Sequence, residues 1–161
     1  MWEKFTLFSI ANRVPFMISI PGLTDRGFHT EKLVELVDLF PTLVEAAGFK
    51  PLETCPKNSR NIKLCSEGSS LMPLIKEPQI TKWKDAVFWQ FPRGNKHKYL
   101  KNIPRKMGYA IRTAEYRYTE YVWIKFPEPG NYLNYAPDWE NPCDHEELYD
   151  LKLDPQETIN R

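Results

Sequence analysis

The sequence predicts an α/β fold in two parts, and three observations carry that reading. Short apolar runs in the first half are closed by Pro-Gly or followed by a capped helical segment, aromatic and β-branched runs dominate the second half, and two of those runs are a hairpin-length gap apart. Residues 1–78 are expected to form strands and helices, and residues 79–161 a smaller antiparallel sheet.

The size of the chain and its charge narrow the class. With 161 residues, 42% hydrophobic and 14% aromatic, it is long enough to bury a substantial core, which excludes a disordered tail. Twenty-two Lys and Arg against 21 Asp and Glu leave a net charge of +1, so no global field recruits nucleic acid or a membrane surface. No apolar run approaches the roughly 20 residues that span a bilayer. The opening MWEKFTLFSIA has the outline of a secretory signal, with Lys4 as the charged region and Phe5–Ala11 as the apolar one. Thr6 and Ser9 interrupt that short core and Glu3 offsets the charge, which argues against it.

The elements follow in order. Val14–Ile20 is apolar on both faces and ends in Pro21-Gly22, as a strand buried in a parallel sheet does, and Lys32–Val37 reads as a second short strand. Asp38 is placed to N-cap a helix over Leu39–Ala47, with Pro41 in its first turn and Gly48 as its left-handed stop. Ser70 caps a shorter helix through Ile75, with Pro73 near its start, and Lys76–Lys84 is an exposed connection. Asp85–Phe91, Met107–Thr113 and Tyr116–Lys125 read as strands, the last two joined across Ala114-Glu115 as a β-hairpin. Residues 127–145, with four prolines, read as an irregular excursion.

Few residues carry chemistry on their own. Cys55 and Cys65 are placed either for a disulfide, if the compartment is oxidising, or as two free thiols; a metal site lacks a second Cys or His pair at ligand spacing. Arg93–Lys106 holds six Lys or Arg, one His and no acid, which is either a solvated loop or a patch for a polyanion. Arg112 and Arg117 are expected to pair with Glu115 and Glu120. His29, His97 and His145 all fall in loops, none beside a recognisable nucleophile. CPKNSR superficially matches the C-x-P-x-R nucleophile signature of sulfatases. Lys57 and Ser59 stand where its proline and arginine belong, so Cys55 is not a nucleophile.

Taken in series, several stretches carry a resemblance. W-x-K followed by RVPFMISIPG, then VELVDLFPTLVEAAG with its D-L-x-P-T-L core, then DAVFWQFPR, MGYAIRTAEYRYTEYVW and EELYDLKLDPQETIN, together resemble the sulfatase family over nearly the whole chain. The resemblance implies the C-terminal part of an alkaline-phosphatase-like fold: a remnant of a large mixed sheet plus a smaller antiparallel one, packed against an N-terminal sulfatase part. It implies sulfuric ester hydrolysis by an activated nucleophile, with a calcium ion in the complete enzyme, a lysosomal or secreted compartment, and a sulfated glycosaminoglycan as partner. It also implies a Cys55–Cys65 disulfide, although no Asn-x-Ser/Thr glycosylation site is present.

By the same resemblance Lys4 contacts the substrate sulfate as a point charge, and Lys96, Lys98 and Lys101 help attract the glycan. The nucleophile signature, the D-H-G stretch and the paired aspartates that hold the metal are not in these residues, so no metal ligand is expected here and the chain alone is expected to be inactive. The rival reading is a non-catalytic glycan-binding or interaction module on the same scaffold.

Overall fold

The computed structural model describes residues 5–56, 64–93, 106–126 and 136–161, with 142–144 described for backbone alone. Two compact units divide the chain, Met1–Val14 with Phe88–Arg161 in one and Pro15–Val87 in the other. Among the described residues no helix is long and apolar enough to cross a membrane.

Leu36–Asp38, in the second of these units, forms a 3₁₀ turn that runs directly into a helix, Leu39–Ala46 (α2; α1 is the single turn Ser9–Asn12 of the other unit). Gly48, at φ 82°, ends α2 in a Schellman arrangement: its N–H donates to Glu45 O, and Phe49 N–H donates to Val44 O. A shorter helix, Met72–Lys76 (α3), follows, with the Ser70 hydroxyl accepting from Met72 N–H. Leu71, Met72 and Ile75 form the core, against which Ile18, Ile20, Val34, Ala46 and Trp83 pack.

Two of the expected strands are not strands. Val14–Ile20 joins no sheet, and Lys32–Val37 runs unpaired into the 3₁₀ turn. A strand exists only through a ladder partner, and the described residues bring none beside either segment. Ile18 and Ile20 are instead held by side-chain packing, and a turn closed by Thr24 and Asp25 around Gly22 ends the run. Asp38 also departs from its expected role. It does not cap α2; its carboxylate accepts from Glu35 N–H at 2.9 Å, from Ser69 N–H at 2.8 Å, and from Lys84 Nζ. Its carbonyl takes the Thr42 hydroxyl at 2.6 Å, and Thr42 Oγ1 in turn accepts from Leu71 N–H. The Asp and Thr of D-L-x-P-T-L thus tie α2 to the segment entering α3. Lys84, expected on an exposed connection, is half-buried in this network.

The other unit is built on a four-stranded sheet in the order β1-β2-β3-β4, with strands Val87–Arg93, Lys106–Arg112, Tyr116–Lys125 and Ala136–Asp150. The hairpin forms as expected, β2 antiparallel to β3 with Arg112 opposite Arg117. Ala-Glu serves as its tip because the Thr113 hydroxyl accepts from the N–H groups of Glu115 and Tyr116, standing in for a glycine-type turn. Residues 136–145 correct the expected excursion, since they belong to β4 and carry His145 into a strand. An edge strand tolerates Pro137 and Pro142, and the register shifts beside β4 fall between Glu120 and Trp123 of β3.

Candidate functional site

The chemistry expected of this chain rests on Lys4. Lys4 lies outside the described residues, as do Lys96, Lys98, Lys101 and His97, but the residues that follow Lys4 are described from Phe5 onward. They are seated on one face of the sheet.

Strand alternation prepares that face. Gly108 and Ala110 on β2, Tyr121, Thr119 and Arg117 on β3, and Glu147 and Tyr149 on β4 are brought side by side by the register. The two small residues leave a hollow that Leu7, 1% exposed, fills against Ala110 and Tyr121, with Trp89 and Phe91 packed around it. A Cβ on Gly108 would run into Leu7 Cδ1 and come within 3.0 Å of Tyr121 Cε1. Gly108→Ala is therefore expected to lower stability by about 1–3 kcal/mol through overpacking. Chemical denaturation should read this as a lower midpoint, and a Leu7→Ala background should relieve it.

Backbone polarity in the seated segment is met by side chains. Arg93 Nη1 donates to Phe5 O at 3.0 Å, Asn12 Nδ2 to Thr6 O at 3.3 Å and to Phe8 O at 3.0 Å, and Trp89 Nε1 to Leu7 O at 3.0 Å. Four successive carbonyls, Phe5 to Phe8, each accept from a side chain. Further along, Ser9 N–H and the Ser9 hydroxyl both donate to the Glu157 carboxylate.

Arg117 lies beneath. It is fully buried, with its guanidinium against the rings of Phe8 and Tyr149, 4.7 and 4.5 Å from their centroids, and those two rings meet edge to face at 5.7 Å. Nε donates to Glu157 Oε1 at 2.8 Å, Nη2 to Glu147 Oε2 at 3.3 Å, and Nη1 to Thr119 Oγ1. These partners correct the expected pairing with Glu115 and Glu120, because the inward face of β3 puts Arg117 out of reach of the hairpin tip. Glu115 pairs with Lys152 instead. Burial first, and the Glu147 carboxylate next, push the Tyr121 phenol above its usual value, and its hydroxyl donates to Glu147 Oε1. Tyr121 is thus a hydrogen-bond donor here, tying β3 to β4 through Glu147.

Glu157 reaches the seat from a turn made by Asp154. The Asp154 carboxylate accepts from Ile159 N–H at 2.8 Å and from the N–H and hydroxyl of Thr158, and its carbonyl accepts from Glu157 N–H. Those bonds, that of Ile159 foremost, hold the Asp154 carboxyl below its ordinary value against the opposing effect of burial. A depressed folded value means the turn's contribution is complete above the unfolded value of about 3.9 and is lost as pH falls through the folded one. Acid titration of the unfolding midpoint should therefore fall away below about pH 4, and Asp154→Asn should flatten that part of the profile.

Cys55 and Cys65 form a disulfide, with Cα atoms 4.9 Å apart. Backbone bonds from Cys55 N–H to Ser66 O and from Ser66 N–H to Glu53 O already hold the ends of its loop together. His29 stays in a loop; His145 Nε2 lies 3.8 Å from Glu147 Oε1. Among the described residues no three His, Cys, Asp or Glu side chains converge to hold a metal ion, so a calcium site does not fit them.

Sequence reasoning missed Arg93, Trp89 and Glu157 as parts of this seat. One signal was available: a charged Arg117 in phase with Thr119 and Tyr121 on an otherwise inward-facing strand register marks a buried charge that must find a partner.

Relatives show the same extent of likeness. Iduronate 2-sulfatase of Mus musculus is 34% identical over 197 aligned residues, and that of Homo sapiens 30% over 198, each alignment covering 99% of this chain and 34% of the relative. The chain thus spans about a third of the length of the curated relatives it matches. The crystal structure of a putative sulfatase from Bacteroides thetaiotaomicron overlaps 76% of this chain and 19% of its own, at 27% identity and a TM-score of 0.41. Residues 1–127 match the family described as N-sulphoglucosamine sulphohydrolase, C-terminal, and with most of its length so matched the chain belongs to that family, the C-terminal region of the sulfatases.

Proposed function

We propose that the chain is the C-terminal part of a sulfuric ester hydrolase that removes the 2-O-sulfate of iduronate in heparan and dermatan sulfate. The observation that carries the substrate class is the 34% identity to mouse iduronate 2-sulfatase across 99% of this chain. Lys4 supplies a point charge to the sulfate. Lys96, Lys98 and Lys101 add a salt-dependent attraction for the polyanionic glycan. Residues 1–78 complete the catalytic domain and 79–161 form its C-terminal subdomain. The Cys55–Cys65 disulfide supports a lysosomal or secreted location.

The nucleophile and the calcium belong to the N-terminal sulfatase part, and no step of the reaction is assigned to a metal on this chain. Exposed apolar side chains in the Pro15–Val87 unit, among them Met17, Leu36, Phe40, Leu43 and Phe49, support packing against that part. The test is a fusion of the N-terminal two thirds of mouse iduronate 2-sulfatase to this chain, assayed on an iduronate-2-sulfate disaccharide. The fusion is expected to release sulfate, the isolated chain is not, and Lys4→Ala in the fusion should raise KM. A fusion that melts like the parent yet leaves this disaccharide intact would sink the proposal, as would enzyme-like turnover by the isolated chain.

A further inference from the structure

We propose that residues 5–12 and the turn over residues 154–159 form one latch on the sheet unit. The two segments meet across a separation of 148 residues, and they seat together and open together while the β2–β3 ladder beneath them stays closed. Opening bares the hollow that Leu7 fills against Ala110 and Tyr121 without unfolding the sheet.

The coupling comes from one shared carboxylate. Glu157 is buried and accepts from the N–H and the hydroxyl of Ser9 and, on Oε1, from Arg117 Nε at 2.8 Å. Were residues 5–12 to leave alone, that carboxylate would lose both Ser9 donors and the Arg117 guanidinium would lose the Phe8 ring. Were the turn to leave alone, Ser9 and Arg117 Nε would lose their acceptor in a place where a missing partner is costly. Backbone strain adds a second link. Glu157 stands at φ 57°, the one positive-φ residue other than glycine among the described residues, and a long side chain keeps a left-handed backbone only where its surroundings enforce it. Asp154 enforces it from one side, through the N–H groups of Glu157, Thr158 and Ile159, and Ser9 and Arg117 enforce it from the other. Each segment, on leaving, therefore removes what holds its partner. The sheet does not share this dependence. β2 and β3 are joined by an unbroken antiparallel register from Lys106 opposite Trp123 to Arg112 opposite Arg117, whereas residues 5–12 are held to the sheet through the side chains of Leu7, Trp89 and Arg93. A segment attached in that way opens at a lower cost than a ladder does.

Amide hydrogen exchange on the whole chain tests this from both sides. Thr158→Ala removes a donor to Asp154, and it should speed exchange at Ser9, Ala11 and Arg13 by about tenfold. Ser9→Ala removes a donor to Glu157, and it should do the same at Thr158 and Ile159, again by about tenfold. In both variants the β2–β3 amides should keep their rates. A further measurement needs no substitution: in the unmutated chain, across low urea concentrations, these five amides should follow a single opening with a common urea dependence, reached before the β2–β3 amides open. Acceleration confined to the substituted side, or separate urea dependences for the two segments, would show that they open independently and overturn the latch. An equal rise across the β2–β3 amides would overturn it too, by making the opening part of global unfolding.

Discussion

Arg117→Ala is expected to destabilise the sheet unit by about 3–5 kcal/mol, the range for breaking a buried ion pair from one side. The magnitude follows from what is left behind. Glu157 and Glu147 side chains, 3% and 11% exposed, lose the cation that justified their burial, and the rings of Phe8 and Tyr149 lose the guanidinium packed against both. Urea denaturation followed by tryptophan fluorescence should show the midpoint shift. Removing the whole network, as Arg117→Met with Glu147→Gln and Glu157→Gln, should recover much of the loss, because no unpaired charge then stays inside. A single variant that costs under about 1 kcal/mol would mean the carboxylates reach water.

Asp38→Ala should cost a similar amount, about 3–5 kcal/mol, in the Pro15–Val87 unit. The Asp38 side chain is fully buried and serves three donors, so its loss leaves the amides of Glu35 and Ser69 without their acceptor and the Lys84 ammonium with the Glu35 carboxylate alone. Lys84 supplies an independent signature. Burial works against its charge, yet the bonds to Asp38 and Glu35 outweigh that and hold its pKa above the usual lysine value. A raised folded value means this stabilisation is complete below the unfolded value of about 10.4 and disappears as pH rises through the folded one. The unfolding midpoint should therefore decline in the alkaline range above about pH 10, and Asp38→Ala should remove most of that decline. An alkaline profile identical in the two proteins would show that the network does not depend on Asp38.

Local pattern carried much of the fold. Tyr116–Lys125 was legible because β-branched and aromatic residues alternate there, and α2 because Pro41 and Gly48 mark its ends. Ambiguity entered where an element depends on a distant partner. Val14–Ile20 has strand composition, but composition does not bring a neighbour. Ala136–Glu146 looks broken by proline until its place at the sheet edge is known. Asp38 was legible as a polar residue at a helix start, although its partners Ser69 and Lys84 lie 31 and 46 residues away. Lys4 was singled out through the resemblance alone and lies outside the described residues. The Glu157 contact spans 148 residues and leaves no local trace.

That span has a consequence for the order in which the protein is made. Ser9 leaves the ribosome long before Glu157 exists, and at roughly 5–20 residues per second the wait is on the order of 7–30 s. The Pro15–Val87 unit is contiguous and meets no such delay, whereas the sheet unit cannot close over its own beginning until the last turn emerges. Until Tyr121 has been made, a nascent chain carries Leu7 without its seat, and until Glu157 has been made, Ser9 without its carboxylate. A chain cut before Glu157 would lack the carboxylate that holds Ser9.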